Sequence, residues 1–388
     1  MRMSLLRCIS ISLAICLSAI YILSTTEEII GFKINTAYNQ EKLSLQNNEN
    51  MSPCDNTINL QNPSKSSTDE SAEEQLQSIL TKWKNKASVT AKETYQNYNV
   101  NYKNNGLPTR EYPFIFFHQR KAGGTTFKEH LFKISTKKKK PSYIASHGNV
   151  QWGTFTIPNR ANQKKESYAI YAGHFNYMHV YSNIAIRDAN EFLSKRGVSV
   201  NPTPFSCLIN ARPTMERVFS CWNYFFLQEL KLYDKLPNAY NMTPSQWDTY
   251  LPFLYSKFRQ GCNNEFIRNF SDESNEILVN NLIVSEDVSV MLQNVLESVL
   301  ERVSQCSIML LPKCQESVSV VNHYHPWLDL QDNYCEVKYN VGKEEPKSVE
   351  DDIPKDVQDV ISKWNRMDDL VYEYLEVLFE EQYKLSLS

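Results

Sequence analysis

The run Arg120-Lys-Ala-Gly-Gly-Thr-Thr126 gathers the groups needed to hold a multiply charged anion. Gly123 and Gly124 let the main chain turn tightly and bring bare N–H groups up to a ligand. Lys121 adds a full positive charge, and Thr125 and Thr126 add hydroxyl donors. The run follows an apolar stretch and precedes an amphipathic one, so it reads as a strand-to-helix turn whose helix N-terminus faces the anion. Thr126 and Glu129 have the spacing of a capping box, which sets the expected helix start at Thr126. Lysine precedes the glycines, the reverse of the nucleoside-triphosphate P-loop order, and no P-loop sequence occurs anywhere in the chain.

A second constellation lies further on, in Leu208-Ile-Asn-Ala-Arg-Pro-Thr-Met-Glu-Arg-Val-Phe-Ser220. Arg212 closes an apolar run and can fork onto a phosphate, while Ser220, on the helix expected next, can donate a hydroxyl to the same oxygens. Between the two lies His174, in Tyr171-Ala-Gly-His-Phe-Asn-Tyr177, just past another apolar run. A neutral imidazole there suits a general base. Each has a blander reading alone: a lysine at a turn, arginines on a helix face, a histidine bonded at a strand end. Their order along the chain points to one joint site.

The first run resembles the 5′-phosphosulfate loop of sulfotransferases that use 3′-phosphoadenosine-5′-phosphosulfate (PAPS), commonly P-K-T-G-G-T-[ST]. Arg120 stands for the usual proline and Ala122 for threonine. The second resembles the family's 3′-phosphate element, R-D-P-x-E-R-x-x-S-x-Y-x-Y. Arg212, Glu216, Arg217, Ser220 and Tyr224 fall in register, while Pro213 and Thr214 displace the proline by one. The His174 segment is similar to the Y-H-G-H of heparan and uronyl 2-O-sulfotransferases, with Ala172 in place of the first histidine. Weaker likenesses follow in Asn281–Asp287 and in Trp364–Tyr374, so the resemblance spans roughly residues 113–379.

The resemblance implies transfer of a sulfuryl group from PAPS to a hydroxyl of a glycan, an acidic polysaccharide among the candidates, with no metal. By the same likeness Lys121 stabilises the leaving phosphate and His174 is the base. Lys121, Ala122, Gly123, Gly124, Thr125, Thr126, Arg212 and Ser220 are then the residues that bind PAPS, and His118, directly before the loop, is a positioning residue. A Golgi glycosyltransferase would need a D-x-D metal motif, and none occurs in the body. The alternative kept open is a catalytically degenerate, sulfotransferase-like protein that binds glycans.

These residues need elements to hold them. Phe114–Phe117, Tyr168–Ala172 and Phe205–Ile209 are short continuous apolar runs, as in strands buried on both faces. Phe127, Leu131 and Ile134 share a helical face, as do Val218, Trp222 and Phe225, and two long helices are expected over 280–303 and 354–385. Strands alternating with helices predict an α/β fold with a central parallel sheet flanked by helices. His323 and His325 alternate as on an exposed strand, and the Lys137–Lys140 run reads as a solvated loop or an attractor of acidic glycan.

The 388-residue chain carries a formal charge of −3, which gives no global signal for nucleic acid. Arg2 and Arg7 precede an apolar run and Glu27 and Glu28 follow it, which predicts a cytosolic N-terminus and a lumenal body. The expected organisation is a tail (1–7), a signal anchor (8–24), a stem (25–108) bearing one short amphipathic helix over 70–98, and a catalytic domain (109–388). A cleaved signal peptide is the alternative to the anchor. Single-pass type II topology in the Golgi membrane follows from the anchor and the resemblance together. Sequons at Asn50, Asn241 and Asn269 and seven cysteines outside the anchor agree with a lumenal body, with Cys306–Cys314 the most plausible local disulfide.

Overall fold

Strand β1, Phe114–Phe117, is buried at all four positions and runs through the middle of a parallel sheet. The computed structural model describes residues 67–102, 106–145, 168–184, 205–224, 237–256, 263–271, 288–336 and 353–388. The sheet order is β2 (Ser142–Ile144), β3 (Ile170–Gly173), β1, β4 (Ser206–Ala211), β5 (Ser307–Leu310), with every pairing parallel. Phe117 lies opposite Gly173 on one side and Ile209 on the other, so β1, β3 and β4 end close to one level. The α/β class and central parallel sheet expected from the sequence are present.

Side chains alternate across β1 and divide the core. Phe114 and Phe116 pack with Phe127, Leu131 and Ile134 of α2 (Gly124–Lys137), the helix that follows the glycine loop. Ile115 and Phe117 pack on the other face with helices α7 (Val288–Val303) and α9 (Lys355–Ser386). A smaller cluster joins α4 (Thr214–Trp222) to α5 (Pro244–Ser256) and α9 through Trp222, Trp247 and Ile361.

Helix α1, Ser67–Asn101, changes the organisation expected from the sequence. The helix itself is present and buries Leu76 and Leu80 as its apolar spacing predicts, but it also buries Ala87, Ala91 and Tyr98 against the body. Tyr98 donates to the carbonyl of Gln305 at 2.7 Å and accepts from the Cys207 amide at 2.9 Å. The compact unit runs Lys65–Ser388, so α1 belongs to the body rather than to a tether ending at 108. Residues 8–24 lie outside the described residues; among the described residues no helix is long and apolar enough to cross a membrane.

Two further expectations are corrected. Cys306 pairs with Cys207 and Cys314 with Cys335, because β4 and β5 lie side by side and bring Cys207 against Cys306. His323 and His325 are not on a strand. His323 lies in α8 (Cys314–Tyr324), and His325 is fully buried just beyond it, bonded to Tyr102 Oη and Ser307 Oγ.

Candidate active site

After β1 the connection leads through α2 to β2, on one side of the sheet; after β4 it leads to β5, on the other. The β1 and β4 ends therefore form a topological switch point, where open α/β sheets leave a crevice for ligands. The two constellations expected to hold anions occupy these ends, the glycine loop after β1 and Arg212 directly after β4. Arg212 Nη1 donates to the carbonyl of Lys121 at 3.3 Å, so stretches 91 residues apart in sequence touch.

The loop is held from two further directions. Asn210, fully buried near the end of β4, accepts from the Gln119 amide at 2.8 Å and donates to the Ala122 carbonyl at 2.7 Å. Glu265, at the start of α6 (Glu265–Phe270), accepts from the Arg120 amide at 3.1 Å and pairs with the Arg217 guanidinium at 3.3 Å. Arg217 in turn donates to Asp368 of α9 at 2.8 Å. A proline at 120 would have no N–H for Glu265, so this contact requires a residue other than proline there.

Asp368 and Asn365 also fix α6. Asp368 accepts from the Phe266 and Ile267 amides at 3.2 Å, and Asn365 accepts from the Asn264 amide at 3.1 Å. The likeness noted over Trp364–Tyr374 thus marks residues that anchor the scaffold behind the loop. Arg217, also in register with the family pattern, is 1% exposed and lies inside this ion cluster.

Within the loop Lys121 has φ 57° and Gly123 φ 79°. The left-handed region costs a non-glycine residue about 1 kcal/mol, a strain that persists only where the surroundings impose it. Gly123 caps α2, which begins at Gly124, earlier than the capping-box spacing indicates. Thr125 and Thr126 are then half-buried residues of the first turn, and no side chain caps the helix. Gly124 is required for space rather than for φ: a Cβ there would lie 2.1 Å from the His118 ring. The Lys121 ammonium sits 4.4 Å from the centre of the partly exposed Tyr224 ring.

His174 follows β3 as expected and meets β1 through His118. Its Nδ1 lies 2.7 Å from the His118 carbonyl oxygen. A carbonyl only accepts, so Nδ1 carries the proton, and in the neutral ring Nε2 is the accepting nitrogen. Burial, then the cations Arg120 and Lys128, hold His174 well below the usual imidazole range. His118 is held down in the same direction by burial and then by His174 itself. The half-buried His174 is therefore a neutral base whose tautomer is fixed by the main chain.

The structure thus brings together Lys121, Ala122, Gly123, Gly124 and Arg212, with His118 and His174 beside them. Ser220 is buried on α4, the helix that follows Arg212. The Lys137–Lys140 run lies at the far end of α2, about 20 Å from the loop at 1.5 Å per residue, and so does not belong to this site. Asn241 is exposed, whereas Asn269 is half-buried and donates to the Gln119 side chain at 3.3 Å. The segment 281–287 lies outside the described residues. Asn210, Glu265 and the buried Lys128 are contributors that motif reading does not single out. Of the three, Asn210 alone carries a signal in sequence, as a polar residue inside an otherwise buried strand. No family model matches the chain, and no curated protein is significantly similar to it.

Proposed function

We propose that this protein is a PAPS-dependent sulfotransferase that sulfates a hydroxyl of a glycan in the Golgi lumen. The observation that carries the reading is the contact of Arg212 with the Lys121 carbonyl at the β1/β4 switch point. It joins a main-chain anion cradle to a second phosphate-binding arginine, the pair of anion sites that a 3′-phosphate and a 5′-phosphosulfate require.

The donor fits the residues present. The first turn of α2 offers main-chain N–H groups, and Gly123 and Gly124 add no side chains of their own beside them. The acceptor oxygen forms a bond to sulfur as the bond from sulfur to the 5′-phosphate oxygen breaks. The acceptor proton passes to Nε2 of His174, and Lys121 supplies positive charge to the departing phosphate. Positioning and electrostatics carry most of such a transfer, as they do for phosphoryl groups.

The test uses the full chain, radiolabelled PAPS, and a panel of desulfated glycosaminoglycans and galactose-bearing glycans. Label transferred to an acceptor and lost in Lys121→Ala supports the reading. No transfer, together with no rise in melting temperature on adding adenosine 3′,5′-bisphosphate, refutes it.

A further inference from the structure

Lys128 is the one charged residue on the sheet-facing side of α2, between Phe127 and Leu131, and it is 0% exposed. Its Nζ donates to the carbonyl of Ala145, just beyond β2, at 3.2 Å. Burying an ammonium costs free energy that an apolar side chain at the same position would not. Leucine or methionine would fill this place between helix and sheet, so packing does not account for the lysine.

Its surroundings do. Lys128 is one helical turn beyond Gly124, the residue against which the His118 ring rests. His118 stacks on His174 with ring centres 4.2 Å apart. Ala145, whose carbonyl holds the Lys128 ammonium, donates its own amide at 2.9 Å to the Ala172 carbonyl, two residues before His174. From there the Lys128 charge opposes protonation of both rings, adding at His174 to the larger effects of burial and Arg120. Arg120 and Lys121 of the loop, both cations, act on His118 in the same direction, and Arg120 does so on His174. A fixed positive charge in a poorly screened interior opposes a second one nearby.

We propose that Lys128 is a positioning residue of this site, a buried cation that keeps His174 in its proton-accepting form in an acidic lumen. The proposal rests on the reading of His174 as the base. Burial outweighs the pull of Glu129 and brings the Lys128 ammonium down to about 8, so it stays charged at every pH below that. The hold on His174 is present wherever protonation of His174 would compete with catalysis.

The test reads His174 directly, without turnover. Diethyl pyrocarbonate modifies neutral imidazole, and mass spectrometry of the full chain at a series of pH values gives the midpoint for each histidine. In Lys128→Met and Lys128→Gln the His174 midpoint should rise by about one unit, a tenfold change in the protonation equilibrium. Lys128→Arg should keep the wild-type midpoint. His130, bonded through Nε2 to the Leu328 carbonyl, is the control and should not move.

An unchanged His174 midpoint in both neutral variants overturns the proposal, as does an equal rise at His130, which would mark a general loosening. The Met variant replaces a buried charge by an apolar chain of similar length; if it nevertheless fails to fold, the Gln and Arg variants decide. A raised midpoint in a protein whose His174→Ala variant still transfers sulfate would sink the base assignment and leave the hold of Lys128 on the pair standing.

Discussion

His118 and His174 are joined twice. Their rings stack with centres 4.2 Å apart and 25° from parallel, and the His118 carbonyl accepts the Nδ1 proton of His174 at 2.7 Å. The residue that precedes the glycine loop therefore also orients the His174 ring, so the first strand ties the two segments together.

His174→Ala should lower kcat by at least about 100-fold, the lower end of what a general base contributes. The melting temperature should hold, because His174 is half-buried and outside the main clusters. Steady-state kinetics beside thermal denaturation checks this, and a variant with ordinary kcat removes His174 from the reaction.

Because burial and neighbouring cations hold His174 below the ordinary imidazole value of 6.5, kcat/KM should show no acidic limb between pH 7 and 6. An inflection near 6.5 would mean that the ring is solvated as in a free peptide. A pH–rate profile at subsaturating acceptor reads it.

Gly124→Ala should damage the site more than its size implies. The added methyl drives the His118 ring off its seat, and overpacking of this kind costs about 1–3 kcal/mol. Binding of adenosine 3′,5′-bisphosphate, followed by calorimetry, should weaken in parallel with the loss of stability.

Glu265→Gln should destabilise by about 3–5 kcal/mol, since it leaves the buried Arg120 and Arg217 without their shared counter-charge. Urea unfolding measures it. The double variant Glu265→Gln/Arg217→Met should not recover the loss, because it leaves the buried Asp368 without its guanidinium partner.

Asp369 gives a pH signature. Burial raises its carboxyl from 3.8 to about 6, against the pull of Thr214, Arg366 and Ser362. Between those values the folded chain keeps a proton that the unfolded chain releases, so stability falls as pH rises through the window. Asp369→Asn should be more stable than the parent at pH 7 by about 1–2 kcal/mol, discounted because the group is partly solvated. The gap should close towards pH 4 in urea titrations.

The glycine loop and Arg212 were legible because their signals are local: an apolar strand, a turn residue, and the amphipathic helix that follows. Strands β1, β3 and β4 are legible for the same reason, each buried on both faces, whereas β2 and β5 are not singled out by the apolar pattern. The start of α2 was misplaced because Gly123, at φ 79°, opens the helix without any side-chain cap. Asn210, Glu265 and Lys128 owe their roles to neighbours 91, 145 and 17 residues away, which spacing does not encode. Helix α1 read as a stem because much of its buried face is Ala87, Ala91 and Tyr98, residues that add little to an apolar pattern. The disulfides follow the pairing of β4 with β5 and not nearness in sequence.

The packing of α1 sets an order of events in synthesis. Lys84 pairs with Glu373, and the Arg366 guanidinium with Glu73, across gaps of 289 and 293 residues. The face that α1 buries lacks its α9 partners until the end of the chain has been made, so part of an early helix waits through nearly the whole of translation. Closing such distant contacts is slow and leaves apolar surface open in the meantime. Maturation of this protein should therefore depend on chaperones, and shortening α9 should lead to degradation of the chain rather than to a folded protein of lower stability.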